Sequence, residues 1–390
     1  MLCRFEGGAP SSSLNAEVTL NFSLGECMKQ WCLSVVAIRL RTISLAIALF
    51  QVSVLFASTS VLAQGNLSLP TMDLDEQLDI RLNNGIPQDD RNEADLQLRL
   101  GVQAQQAGNL EKAIANWWQA IELYQEIRDL EGLGLAYNYL GLAYADLGRY
   151  KQAEDALRRR LGVTRTLNDF LGQVFALNNV GTVLLQRGNL KPAQETFQEA
   201  LTIARSIQSR EGEGLSLSNL GLVAAQAGDY YEAIKRYEAA LVLRRQLGDP
   251  LGEANTRNNL GDAYRAVNQF RDALAAYRAA LTLAENSRDF SNQFRALRGI
   301  VQASSSLGQF APAIRALNEY TALARQRNDR RQQLIALRLA AEFYKTAGDL
   351  SAARTFYEQA IALANVLGDT EEEAFLRNDL AQIIYNRDLY

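Results

Sequence analysis

The sequence contains no histidine among its 390 residues. This absence excludes the commonest general base, the commonest neutral metal ligand and every catalytic arrangement that pairs histidine with serine or cysteine. The three cysteines are Cys3, Cys27 and Cys32, so the chain beyond them has no thiol for a disulfide, a nucleophile or a metal site. No glycine-rich phosphate-binding loop is present either. We therefore expect a protein that is not an enzyme and that needs no metal or cofactor.

Basic residues are not in excess. Lysine and arginine total 40 against 44 aspartates and glutamates, a net charge of −4. A surface that binds nucleic acid normally shows a basic excess, so we expect no nucleic acid partner. The 48% of hydrophobic residues is ordinary for a chain that packs a core, and it argues against wholesale disorder.

A run without any charge, residues 42–61, lies near the N-terminus. Basic residues precede it and Val61-Leu62-Ala63 follows it, which is the layout of a secretory signal peptide. We predict a signal peptide at 28–63, cleavage after Ala63 and a periplasmic or secreted protein. Met28 is a natural start for this signal, so residues 1–27 are interpreted as an over-extended start.

Two other interpretations of the uncharged run are an uncleaved membrane anchor, which would be the chain's only contact with a membrane, and a buried core helix. The polar residues 64–90 are predicted to form a flexible lead-in.

From Arg91 to Tyr390 the sequence repeats every forty residues without an insertion. One column of the repeat is alanine in every block: Ala113, Ala153, Ala193, Ala233, Ala273, Ala313 and Ala353. Each block predicts two helices and two turns. The first turn carries a residue that tolerates the left-handed conformation: Gly108, Gly148, Gly188, Gly228, Asn268, Gly308 and Gly348. The second turn carries a residue predicted to cap the next helix: Asp129, Asp169, Ser209, Asp249, Asp289, Asp329 and Asp369.

A further set of columns carries a family resemblance. A Leu-Gly or Val-Gly pair recurs from block to block, as in Leu140-Gly141, Val180-Gly181, Leu220-Gly221 and Leu260-Gly261. An aromatic residue follows the alanine column in most blocks: Trp117, Phe197, Tyr237, Tyr277 and Tyr357. A second small position follows, filled by alanine except for Arg160 and Tyr320. This pattern resembles the tetratricopeptide repeat in its forty-residue variant. HEAT and armadillo repeats have a similar period but do not predict these glycines and alanines.

The resemblance implies an all-α, right-handed superhelical solenoid of antiparallel helix pairs, with seven repeats at 91–370 and a capping helix at 371–390. It also implies that the first helix of each pair lines a concave groove that binds a peptide or protein. Helical geometry independently places the columns through Leu135, Asn138, Leu142 and Ala145 away from the core. These columns are apolar in the N-terminal blocks and charged or polar in the C-terminal blocks.

Ten polar side chains are the predicted peptide-binding residues of this groove. Six are amides that could clasp a peptide backbone: Asn138, Asn178, Asn179, Asn219, Asn258 and Asn259. Four are guanidinium groups that favour an acidic or C-terminal peptide: Arg265, Arg295, Arg298 and Arg338. Two alternatives stay open. In one, the asparagines tie neighbouring helices together or are simply solvated. In the other, Asp262 and Glu342 neutralise the arginines internally.

The sequence thus predicts an exported scaffold for protein–protein interaction. The alternative is a small-ligand sensing or regulatory module of the cell envelope. An enzyme with a carboxylate-based site on the solenoid is a residual third interpretation, because the usual catalytic residue types are missing.

Overall fold

A computed structural model describes residues 88–387. The predicted over-extended start and signal peptide lie outside these residues, as does all of the predicted lead-in except its last three positions, which are helical. Within the described range the chain forms fifteen α-helices and no strand. None of these helices is both long and apolar enough to cross a membrane.

The helices pair in chain order, and from Leu110 onward a new helix begins every twenty residues. The first helices of the pairs are α1 Gln88–Gln106, α3 Leu130–Asp146, α5 Phe170–Gln186, α7 Arg210–Gln226, α9 Pro250–Ala266, α11 Phe290–Ser306 and α13 Arg330–Thr346. The second helices are α2 Leu110–Glu126, α4 Tyr150–Thr166, α6 Leu190–Ser206, α8 Tyr230–Leu247, α10 Phe270–Asn286, α12 Phe310–Gln326 and α14 Leu350–Leu367. A final helix, α15 Thr370–Arg387, follows the seventh pair.

The turn residues act as the sequence predicts. The glycines of the first turn have left-handed backbone, with φ of 78° at Gly108 for example, and Asn268 adopts φ of 61°. Each predicted N-cap accepts a hydrogen bond from a backbone N–H in the first turn of the next helix; Asp169 accepts one from Gly172 at 2.8 Å. These caps satisfy donors that a helix N-terminus otherwise leaves unpaired, so both ends of each turn are fixed locally.

Small residues let the two helices of a pair approach closely. Every member of the alanine column is completely buried. A Cβ atom added to Gly181 would fall 2.5 Å from Phe197 Cε1, and one added to Gly221 would fall 2.5 Å from Tyr237 Cε1. The glycine of the first helix therefore leaves the space that the aromatic ring of the second helix occupies.

Each helix packs mainly against the helices before and after it, as expected of a solenoid. The substantial contacts between next-nearest helices all join odd-numbered helices, such as α5 with α7 and α9 with α11. Odd-numbered helices are thus closer together than even-numbered ones, which places them on the inner side of the curve. The predicted fold class, an all-α solenoid of antiparallel helix pairs, is confirmed.

Candidate functional site

The candidate site is the groove formed by the inner faces of the odd-numbered helices. Its first half, on α3, α5 and α7, is apolar: Leu142 is 39% exposed, and Leu135, Phe175, Leu215 and Leu222 are half-buried. Its second half, on α9, α11 and α13, carries the polar and charged side chains of the same columns. The two halves therefore offer different chemistry to one bound segment.

The asparagines of the groove bond mostly to neighbouring helices. Asn179 donates to Asn138 Oδ1 at 3.1 Å, and Asn219 donates to Asn178 Oδ1 at 2.8 Å. Asn178 itself donates to Ser216 Oγ at 3.0 Å. Each bond joins one odd-numbered helix to the next, so the amides form a ladder along the inner face.

Burial corrects the prediction that all six asparagines clasp a peptide. Asn178 and Asn258 are 1% and 0% exposed, and Asn219 and Asn259 are also buried. Asn258 donates to the backbone O and side-chain Oδ1 of Asn292 on α11. A buried amide that bonds a neighbouring helix is not available to a ligand, so Asn178, Asn219 and Asn258 hold helices together. Asn259 accepts a hydrogen bond from Arg295 on α11 but also lines a cavity of the groove, so it stays a predicted ligand contact. Asn138 and Asn179 are half-buried, and they stay predicted ligand contacts.

Two of the four predicted arginines are tied to carboxylates of the same face. Arg295 donates to Asn259 Oδ1 at 2.7 Å, to Asn255 Oδ1 at 2.9 Å and to Asp262 Oδ2 at 3.2 Å. Arg338 donates to both carboxylate oxygens of Glu372 on α15, at 2.8 and 3.2 Å. Its Nε also lies 3.5 Å from Glu342 Oε1.

Asp262 and Glu342 therefore partly neutralise the arginines, as the second open alternative proposed. Burial raises the pKa of the Glu342 carboxyl, the nearby Arg338 opposes this, and Asp379 and Glu372 raise the pKa further.

The other two arginines, Arg265 and Arg298, are half-buried, and no ion pair involves either of them within residues 88–387. The Arg265 guanidinium lies beside the Tyr277 hydroxyl, which donates to Asp262 Oδ1 at 2.6 Å. Arg265 Nε is buried without a hydrogen-bond partner in the described part of the chain. These two guanidinium groups therefore retain more capacity for a ligand than Arg295 and Arg338.

Two cavities open on this face and meet at Arg265. The first has a volume of about 360 Å³, with an apolar wall that includes Leu185 and Leu222 and a polar end formed by Asn259, Asp262, Arg265 and Arg295. The second has a volume of about 220 Å³ and lies between α11 and α13; its polar lining is Arg265, Gln302, Ser305, Ser306, Glu342 and Thr346. The first cavity marks the point where the apolar and charged halves of the groove join.

Sequence reasoning missed Ser305 as a cavity-lining residue and Asn292 as the partner of Asn258. Helical periodicity placed Gln302, which shares a repeat column with Leu142, on the groove face, but it could not show that a cavity opens there. The structure also shows no group of three acidic side chains arranged to hold a metal in the described residues.

Family comparison identifies the repeat. Tetratricopeptide-repeat models match residues 92–166 and 213–286 in one form and residues 176–207 and 337–366 in another. A model of anaphase-promoting complex subunit 5 matches residues 279–347. The chain is therefore a tetratricopeptide-repeat protein in its repeat region. No curated protein matches it.

Solved structures share the fold at low sequence identity. The apo form of RapI is 16% identical with a TM-score of 0.54, covering 71% of this chain and 99% of that one. The Rap conjugation regulator of plasmid pLS20, in complex with the Phr* peptide, is 18% identical with a TM-score of 0.53, covering 79% and 82%. A signal transduction ATPase from Pyrococcus horikoshii with a tetratricopeptide-repeat sensor is 18% identical with a TM-score of 0.55, and the match covers 73% of this chain but only 44% of that one.

Proposed function

We propose that the chain is an exported, non-catalytic scaffold that binds an extended peptide segment of a partner protein in the groove of its odd-numbered helices. The observation that carries the proposal is the cavity of about 360 Å³ in which an apolar wall meets Arg265. The Nε of Arg265 has no hydrogen-bond partner in the described part of the chain. Pockets that bind ligands combine an apolar lining with a few converging polar groups, and this cavity has that composition.

The comparison structures support a peptide as the ligand. The Rap conjugation regulator was solved with a peptide bound, and its fold is shared over 79% of this chain. Since fold does not by itself define function, the proposal depends on the groove and not on the likeness alone.

The structure favours particular contacts for the peptide. Its apolar residues would lie against Leu142, Phe175 and Leu222, and a carboxylate would lie near Arg265 and Arg298, whose guanidinium groups are not ion-paired within the described residues. Arg295 and Arg338 would contribute less, because reaching a ligand requires them to leave Asp262 and Glu372.

Export is the second part of the proposal and has its own test. N-terminal sequencing of the protein recovered from the culture medium or the cell envelope should give Gln64 as the first residue. A membrane pellet that retains residues 42–61 would replace export with anchoring.

The binding test is an affinity capture from the envelope fraction with two single variants. Leu142→Glu places a charge in the groove at a side chain that is 39% exposed, whereas Val366→Glu places the same charge on α14, where Val366 is 69% exposed. We expect partners captured by the wild type to be lost with Leu142→Glu and kept with Val366→Glu. Equal capture by both variants would place the binding surface elsewhere.

A further inference from the structure

We call the contact between two consecutive helices of the solenoid a joint, and one joint differs from the others in its extent. The contact between α12 and α13 is less extensive than that between any other two consecutive helices in residues 88–387. Even α15, which has a neighbour on one side only in this part of the chain, packs more extensively against α14. The weakest joint is therefore internal and is not simply a consequence of position at the end.

The sequence explains why the contact between α12 and α13 is less extensive. At the α6–α7 and α8–α9 joints, two positions are small: Ala200 with Gly212, and Ala240 with Gly252. The same two positions at the α12–α13 joint are Tyr320 and Gln332, and the tyrosine hydroxyl donates to the glutamine Oε1 at 2.5 Å. Two large side chains in contact, where three other joints have alanine with glycine, keep the two helices apart.

The inner-face ladder is also interrupted at this joint. Direct side-chain hydrogen bonds join α3 to α5, α5 to α7, α7 to α9, α9 to α11 and α13 to α15, the last through Arg338 and Glu372. Among the described residues no such bond joins α11 to α13. The column that carries Asn138 and Asn178 has Arg298 on α11 and Arg338 on α13, and two cations do not replace a pair of amides.

A cavity lies beside the α12–α13 joint. The 220 Å³ cavity lies between α11 and α13, lined by Val301 and Ser305 on one side and by Leu339 and Phe343 on the other. The hydroxyls of Ser304 and Ser305 on α11 are buried without a hydrogen-bond partner in the described part of the chain. A less extensive α12–α13 contact, the missing hydrogen bond between α11 and α13, and unpaired polar groups thus coincide in one region of the solenoid.

We propose that the α12–α13 joint is a hinge, about which α13, α14 and α15 move as one body relative to the preceding helices. Arg338 ties α13 to α15, and Tyr357 donates to Asp379, which ties α14 to α15, so the moving part is held together internally. Movement at this joint changes the width of the groove at the 220 Å³ cavity.

Hydrogen exchange of the full chain, measured by mass spectrometry without any ligand, tests the hinge independently of the proposed function. Amides that open together share one opening free energy. We expect a step in protection between α12 and α13, with α13–α15 exchanging at least about tenfold faster than α7–α12 and with one common opening rate. Protection that falls gradually from α11 to α15 indicates ordinary fraying of a solenoid end and would overturn the proposal.

A double variant checks the cause. Tyr320→Ala with Gln332→Gly installs the residues found at the α8–α9 joint, and the step in protection should shrink or vanish. The transplant Ala240→Tyr with Gly252→Gln should create a new step between α8 and α9. A folded double variant that keeps the full step would show that these two side chains do not make the hinge; if either variant does not fold, the wild-type profile still decides.

Discussion

The side-chain amide of Asn219 on α7 donates a hydrogen bond of 2.8 Å to Asn178 Oδ1 on α5, and both residues are buried. The same relation, one repeat plus one residue apart, recurs between Asn138 and Asn179 at 3.1 Å. Polar side chains inside a helical stack are stable only when they are paired. These amides therefore fix how adjacent first helices sit beside one another.

The first prediction concerns that ladder. Asn178→Ala removes the partner of Asn219 and of Ser216, so two buried polar groups lose a hydrogen bond. We expect a loss of about 1–3 kcal/mol in the free energy of unfolding, measured by urea denaturation. The matched control is Asn318→Ala on the exposed face of α12, which should change stability by less than about 0.5 kcal/mol. Equal stability of the two variants would contradict a structural role for the ladder.

The second prediction uses two glycines in helices. A Cβ at Gly221 would fall 2.5 Å from Tyr237 Cε1, so Gly221→Ala should overpack the pair and cost about 1–3 kcal/mol. A Cβ at Gly162 on α4 would meet nothing within 4 Å, and this residue is exposed. Gly162→Ala should therefore stabilise the protein by about 0.5–1 kcal/mol through helix propensity. Melting temperatures that shift in the same direction for both variants would contradict the packing described here.

The third prediction concerns Glu342 and pH. Burial raises the pKa of the Glu342 carboxyl in the folded protein above its ordinary value of 4.5. The folded protein therefore binds a proton at this carboxyl more tightly than the unfolded chain does. The tighter proton binding stabilises the folded state fully at pH values below the pKa that Glu342 has in the unfolded chain. This stabilisation is lost as the pH rises through the pKa that Glu342 has in the folded protein. Glu342→Gln should thus be more stable than the wild type at pH 7, with a smaller difference at pH 4.5.

Thermal unfolding at the two pH values measures this difference. The control is Glu358→Gln, an exposed residue whose carboxylate pairs with Arg354 at 2.7 Å. A Glu342→Gln variant that is less stable at pH 7 would mean that the contact with Arg338 outweighs the cost of burial.

Much of the fold follows from the sequence alone, because its determinants are local. The left-handed glycines and the capping aspartates act within one turn, so their spacing predicts where each helix begins and ends. The alanine column predicts close packing because a small side chain has the same effect in every repeat. Tyr320 and Gln332 are visible as departures from the repeat, but their mutual contact depends on the packing of two helices.

The candidate site was less predictable, for a physical reason. Helical periodicity gives the direction of Asn178 and Asn258 but not the distance to the next helix, and that distance decides whether an amide faces a ligand or a neighbour. The ion pairs of Arg338 depend in the same way on Glu372, which lies in another helix. Only the assembled face shows that Arg265 and Arg298 keep free capacity while Arg295 and Arg338 do not.

The most direct test of the central claim measures the affinity of a captured peptide segment for two double variants by fluorescence anisotropy. Arg265→Glu with Arg298→Glu reverses two charges in the groove, and Arg278→Glu with Arg315→Glu reverses two exposed charges on the even-numbered helices α10 and α12. The account predicts at least about tenfold weaker binding for the groove variant and wild-type binding for the control, with wild-type affinity falling as salt rises. Equal affinity of the two double variants would contradict the claim that this groove is the binding site.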